Sequence, residues 1–372
     1  MPDSTAGYAA LAIAYIHIAR ETGDFSLNQK AEIAVAKGLE MKPDDLTLRR
    51  LQASLHLTFH RFDEALTAGQ ELQKEFPRDA FVYGVLTDAN AELGNYTAAL
   101  ESAQKMVDLK PETSSYARVA HMRSLYGDQE GAIEAFKMAA RAADPSDSEA
   151  QSWCLVQLGD ELWKSGKYPE SEKVFDEALE VFPNYYFALA GKGRDRAAQD
   201  DLDGAVQFLT DAQNRVPNVE TVILLGDIYT RQGNAEKAAQ QYALVEVIEQ
   251  KLGVAGDRKR LALLWADQNI KTEEALAIAE GEYAVRKDIY TADILAWCLY
   301  RKGRFADAKS AIDKASVLKT KDARILYHAG MIEKELGNKK EATDLLRMAL
   351  KLNPAFDLLQ AENARRTLSE LG

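Results

Sequence analysis

Cysteine, histidine and proline are scarce in this chain of 372 residues, which holds two, five and nine of them, and positive charge is outweighed by negative. Each shortage excludes something. Two cysteines, Cys154 and Cys298, cannot make the framework of bridges that staples small secreted domains. Among the histidines, His56 and His60 stand four apart, but no acidic ligand accompanies them and no HExxH helix is present, so no metal site is expected. With 46 basic against 58 acidic residues and a net charge of −12, the chain lacks the basic face that a whole-length nucleic-acid channel needs. No apolar run approaches the roughly 18 residues needed to span a bilayer; the longest, Tyr8 to Ile16, ends at His17. The opening Met1-Pro2-Asp3-Ser4 lacks the positive stretch of a signal peptide. A soluble protein is expected, with its location open between the cytoplasm and an exported compartment. A phosphate loop is also missing, since Gly191-Lys192-Gly193 has neither the spacing nor the preceding strand, so neither a catalytic residue nor a cofactor is assigned.

The prolines that are present keep time. Pro43, Pro77, Pro111 and Pro145 are 34 residues apart, and Pro183 and Pro217 repeat the interval. Small residues twelve positions upstream carry the same beat through the gaps: Ala31, Ala65, Ala99, Ala132, Ser171, Ala205, Ala238, Ala275, Ala308 and Ala342 mark ten units. Five positions before most of them stands a turn residue, as at Gly94, Gly127, Gly166, Gly233, Gly303 and Gly337. After the small residue, apolar positions follow at helical spacing, as in Phe136 and Ala139 or Phe175 and Ala178.

The physical sense of the unit is direct. A small side chain lets two helices approach to about 8–10 Å between axes, and an aromatic one turn on fills the space beside it. Glycine accepts the backbone angle of a tight turn, and proline ends one helix before the next begins. No unit covers its own apolar face, so each is stable only against its neighbours.

Units such as Leu158-Gly159, Leu162, Gly166-Lys167-Tyr168, Ser171, Phe175, Ala178, Pro183 resemble the tetratricopeptide repeat family, and the resemblance runs over roughly residues 8 to 354. It implies an all-α, right-handed superhelical solenoid of about ten helix-turn-helix repeats over 1–354. Ala355-Phe356-Asp357-Leu358-Leu359, with Ala361, Ala364, Leu368 and Leu371, then reads as a capping helix over 355–372. In one solenoid, cysteines about four units apart cannot meet, because bridged Cα atoms lie within about 7 Å; buried thiols are expected. The period stretches near 142–151, where Ser148 and Gln151 read as a capping pair, and again near 250–270, where the helix after Ala238 is expected to overrun and Ile270 replaces the turn glycine. Ser26 and Gln29 read as a similar pair in the first unit. The stretches are either harmless insertions or hinges separating 1–145, 146–253 and 254–372.

In this family the first helix of each unit lines the concave groove. The resemblance places Trp153, Asp160, Trp163 and Lys164 there in the fifth unit, Phe187 and Arg194 in the sixth, and Asp227 and Arg231 in the seventh. It adds Arg260 and Asp267, then Tyr290, Asp293, Trp297, Tyr300 and Arg301, then Arg324, Tyr327 and Lys334. Rings offer contact area at low entropic cost and Arg or Lys can clamp a carboxylate, which suits a peptide groove; each ring alone also reads as packing between repeats. His17, His121 and His328 are expected in the groove or on the surface. The Lys and Asn pair of the chaperone-binding subgroup is missing, Arg50 with Ser54 coming nearest. The function implied is a non-enzymatic scaffold holding a protein or peptide partner. The alternatives are a self-assembling structural subunit, oligomeric through its repeats, or an accessory domain of a larger complex.

Overall fold

The computed structural model describes residues 4–251 and 258–372. Among the described residues there are twenty-one α-helices and no strand. They alternate as first and second helices of ten repeats: α1 (Thr5–Thr22) with α2 (Ser26–Met41), α3 (Leu46–Thr58) with α4 (Phe62–Glu75), α5 (Ala80–Glu92) with α6 (Tyr96–Leu109), and α7 (Thr113–Leu125) with α8 (Gln129–Arg141). Then follow α9 (Ser148–Lys164) with α10 (Tyr168–Val181), α11 (Tyr186–Ala198) with α12 (Leu202–Arg215), and α13 (Val219–Arg231) with α14 (Ala235–Lys251). The last are α15 (Lys259–Gln268) with α16 (Thr272–Val285), α17 (Ile289–Arg301) with α18 (Phe305–Ala315), α19 (Ala323–Glu335) with α20 (Lys339–Leu352), and α21 (Gln360–Leu371).

The marks of the period have structural causes. All ten small residues, from Ala31 to Ala342, are buried. The turn glycines 94, 127, 166, 233, 303 and 337 all have positive φ, and where glycine is missing His60 (φ 56) and Asp200 (φ 67) take the same conformation. In the eighth repeat, Asn269 (φ 54) and Lys271 (φ 43) do so on either side of Ile270. The prolines owe part of their effect to the residue two places on: Asp45, Asp79 and Asp147 follow Pro43, Pro77 and Pro145, and each accepts a backbone N–H from the first turn of a first helix. That corrects the expected capping pair at Ser148, which is already helical while Asp147 caps it. Ser26 is likewise inside α2, and its N–H bonds to Asp24. The helix after Ala238 does overrun, to Lys251; the segment that follows it, 252–257, lies outside the described residues.

The described residues form two compact units, one over 4–119 and one over 120–251 with 258–372. The division falls within α7, and the longer linker near 142–151 lies inside the second unit, where α8 packs directly on α9. In the first unit Tyr8, Ala12, Ala31, Val35, Leu48 and Leu55 make one core and Ala65, Leu72, Val82, Leu86, Ala89 and Met106 another. Ion pairs link its repeats: Arg49 to Glu75 (2.6 Å), Arg118 to Asp88 (2.6 Å), and Arg50 to Asp79. Arg50 is therefore already engaged by a neighbouring carboxylate.

In the second unit Phe175 of α10 is the pattern in full. Its ring lies between Gly159 of α9 and Gly191 of α11, and a Cβ on either glycine would stand 2.5 Å from it. Farther along, this unit turns back on itself. The linker after the ninth repeat rests on the turn inside the fourth: the Thr320 hydroxyl donates to the Leu125 carbonyl, and Gln129 donates to the Lys321 carbonyl at 3.4 Å. The linker after the tenth rests on the turn inside the fifth: Asn353 Nδ2 donates to the Trp163 carbonyl at 2.9 Å and its Oδ1 accepts from the Tyr168 hydroxyl. The turn glycines permit both approaches, since a Cβ at Gly127 would be 2.8 Å from the Lys319 carbonyl and one at Gly166 3.1 Å from that of Leu352.

Candidate peptide-binding face

Because the second unit closes in this way, the inward positions of its first helices meet across its interior. Lys164, at the end of α9, lies in the field of Tyr290 at the start of α17 and of Asp322 before α19. Burial alone would lower the Lys164 pKa, but Tyr290, Glu161, Asp160 and Asp322 outweigh it and the ammonium is held above its ordinary value. Burial pushes the Tyr290 phenol up to about 12.

The residues expected in the groove divide into three groups. The first keeps surface to offer. Trp153 is 37% exposed; Asp160 pairs with Arg194 at 2.5 Å, and the Arg194 guanidinium lies 4.3 Å above the Trp163 ring. Trp163 Nε1 is enclosed with no hydrogen-bond partner. Phe187 is half-buried against Tyr186, their ring centres 4.1 Å apart. Arg231 reaches Asp200 at 3.0 Å and Glu362 of α21 at 3.8 Å.

The second group is core. Trp297 and Tyr327 have no exposed surface, and Asp293 has 3%. Trp297 lies between Tyr300 and His328, at 4.6 and 4.2 Å, and donates Nε1–H to Asp267 at 2.8 Å. His328, expected in the groove or on the surface, is 1% exposed and bonds through Nδ1 to Asp293 at 2.8 Å. Both cysteines are buried thiols, as expected, and burial pushes the Cys298 thiol up to about 12.

The third group surrounds the segment before α21. Phe356 and Leu358 are 4% and 8% exposed: Phe356 packs on Tyr327 at 5.5 Å, and Leu358 enters a cluster of Ala197, Ala205, Leu209, Leu225 and Ile228. Gln360 accepts from the Tyr327 hydroxyl at 2.8 Å and donates to Asp267 at 3.4 Å. Asp357 accepts the N–H groups of Leu359 and Gln360 and stands in the field of Asp227 and Asp267. Burial first, and then Asp357, holds Asp227 well above the usual carboxylate range; the same two causes push Asp267 up to about 6 against the pull of His328 and Arg324. Tyr242 donates to Asp227 at 2.7 Å.

Sequence reasoning pointed to the first helices but not to this segment beside them. The signal was an unusual linker. Where Pro43 and Pro77 are followed by polar residues, Pro354 is followed by Phe356 and Leu358, which read as the apolar side of a helix lying on repeat ten.

Twenty paired helices in register, each pair closed by a left-handed turn, define a helical repeat protein of the interaction type. Models of the tetratricopeptide repeat match residues 50–114 and 156–220, and another matches 323–356. The chain therefore carries tetratricopeptide repeats over these residues. It is 23% identical over 297 residues to the BBSome complex member BBS4 homolog of Drosophila melanogaster; the match covers 75% of this chain and 59% of that protein, so the chain spans less than two thirds of that relative's length. Similar solved structures include PilW, a type IV pilus biogenesis factor, at 17% identity and a TM-score of 0.46, covering 55% of this chain and 92% of that one. Yeast Tom70, at 14% identity and a TM-score of 0.38, covers 99% of this chain and 96% of its own.

Proposed function

We propose that this chain is a protein-interaction scaffold without catalytic activity, and that it takes a segment of a partner polypeptide on the inward face of α9, α11, α13, α15, α17 and α19. The observation that carries this reading is that the same face holds irregular polypeptide, residues 353–359, and the first residue of α21, by side-chain hydrogen bonds and two apolar anchors. Trp163, Arg194 and Asp160 form a half-buried cationic and aromatic element of it, suited to a segment with a carboxylate or a ring. Partners recovered from the native cell with the wild-type chain are expected to be lost with Trp163→Ala and Arg194→Ala at unchanged circular dichroism; undiminished binding by both variants refutes the reading.

A second reading, self-assembly, is favoured by one observation. In the first unit Ile13 and Ile18 of α1 and Ile33 of α2 are 50%, 43% and 56% exposed, large apolar side chains that association would cover. Light scattering separates the two readings, since a monomer mass independent of concentration excludes the second.

A further inference from the structure

The segment 353–360 is held as a ligand would be, yet with one mismatch. Asn353 is 1% exposed and its carboxamide is satisfied on both sides, donating to the Trp163 carbonyl and accepting from Tyr168 and from the Ala355 N–H. Three residues on, Phe356 packs its tilted ring against Tyr327, and two further on, Leu358 fills the pocket between α11, α12 and α13. Between these anchors Asp357 stands in the field of Asp227 of α13 and Asp267 of α15, opposed there by the Arg324 guanidinium of α19, on which it is the strongest neighbouring charge. His328 of α19 and Tyr242 of α14 complete the titratable groups around the two aspartates, together with Tyr327, Cys298 and Arg301, which adjoin Asp267. Like charges brought together in a low-dielectric interior weaken the contact that brings them together.

We propose that residues 353–360 are a built-in, displaceable occupant of the second unit's inward face, and that the partner this face fits is a polypeptide segment of the same pattern. That pattern is an Asn-Pro pair, an aromatic residue three positions after the asparagine and an aliphatic residue five positions after it. The inference rests on the scaffold reading and specifies its site. The anchors set the spacing that a competitor must match, because the carboxamide, ring and branched side chain enter three fixed surroundings. Asp357 supplies the reason for release. A competitor with a neutral residue at that place keeps every anchor and avoids the repulsion. Tethering gives the built-in segment an effective concentration on the order of mM, so it competes strongly until weakened.

The test uses the full chain and a fluorescein-labelled peptide of the sequence of residues 351–360. Anisotropy is expected to show the Leu358→Ala protein, folded by circular dichroism, binding this peptide at least tenfold more tightly than the wild type does. The same peptide with alanine at the phenylalanine and second leucine positions is expected not to bind. A folded Leu358→Ala protein that binds the peptide no better than the wild type overturns the proposal. Where Leu358→Ala does not fold, hydrogen exchange of Asp357→Asn decides. Asparagine caps a helix as well as aspartate does, so a purely structural role predicts equal or faster exchange at Ala355, Leu359 and Gln360. The proposal predicts exchange at least threefold slower at pH 7.5, the difference shrinking toward pH 5 as Asp267 protonates; equal or faster exchange overturns it. Neither arm needs the partner, so their failure leaves the scaffold reading standing, and undiminished partner binding by Trp163→Ala and Arg194→Ala leaves these results standing.

Discussion

Phe175 shows how one side chain organises three helices. Its ring is fully buried, with a glycine from each of two successive first helices on either side, so it has no direction in which to yield. Gly159→Ala and Gly191→Ala each place a methyl 2.5 Å from that ring and are expected to cost about 1–3 kcal/mol by overpacking. Chemical denaturation checks this, and Phe175→Leu is expected to relieve part of the penalty in the double variants. The same close approach recurs where Tyr242 covers Gly226 and Leu346 covers Gly330. Small first-helix residues are thus read as sockets for second-helix side chains rather than as flexible points.

At the scale of the element, two glycines with nothing near them separate backbone from packing. A Cβ at Gly233 or at Gly281 meets no atom within 4 Å, but Gly233 closes the turn between α13 and α14 at φ 75 while Gly281 lies inside α16. Gly233→Ala is expected to lose about 1–2 kcal/mol, the cost of an L-residue in the left-handed region. Gly281→Ala is expected to gain about 1 kcal/mol from helix propensity. Opposite shifts in thermal midpoint check the pair. Linkers are the other element that matters here, since three of them carry an aspartate cap two residues after the proline, while the one after α20 instead carries the anchors Phe356 and Leu358.

At the scale of the molecule, the second unit concentrates buried carboxylates. Asp195 has no exposed surface and burial pushes its pKa up to about 7; Ser171 donates to it at 3.3 Å and its other oxygen has no partner. With Asp227 and Asp267 it binds its proton more tightly folded than unfolded. The folded state then holds more protons, so the stability these groups contribute is present below their unfolded pKa and is lost as pH rises through the folded values, near 6 for Asp267 and 7 for Asp195. Asp195→Asn is therefore expected to melt higher than the wild type at pH 8, with the advantage shrinking toward pH 4; a difference independent of pH contradicts this origin.

The period determined most of what is local. Ten buried small residues, the left-handed turns and the helix boundaries follow from side-chain size, from glycine's access to positive φ and from proline's missing N–H, all properties of residues a few places apart. The family resemblance pointed to the first helices, and so brought Asp160, Trp163 and Arg194 to notice. It could not tell a ring that lines a surface from one that packs: Trp153 keeps 37% of its surface while Trp297 keeps none. That difference depends on how far the unit coils, and the coil is the accumulated result of many small rotations between repeats. Tertiary structure alone decided that the tenth repeat's linker meets the fifth repeat's turn, because Asn353 and Trp163 lie 190 residues apart and no pattern of period 34 links them. The same closure gathered Asp227, Asp267 and Asp357, and in doing so filled the inward face with the chain's own residues.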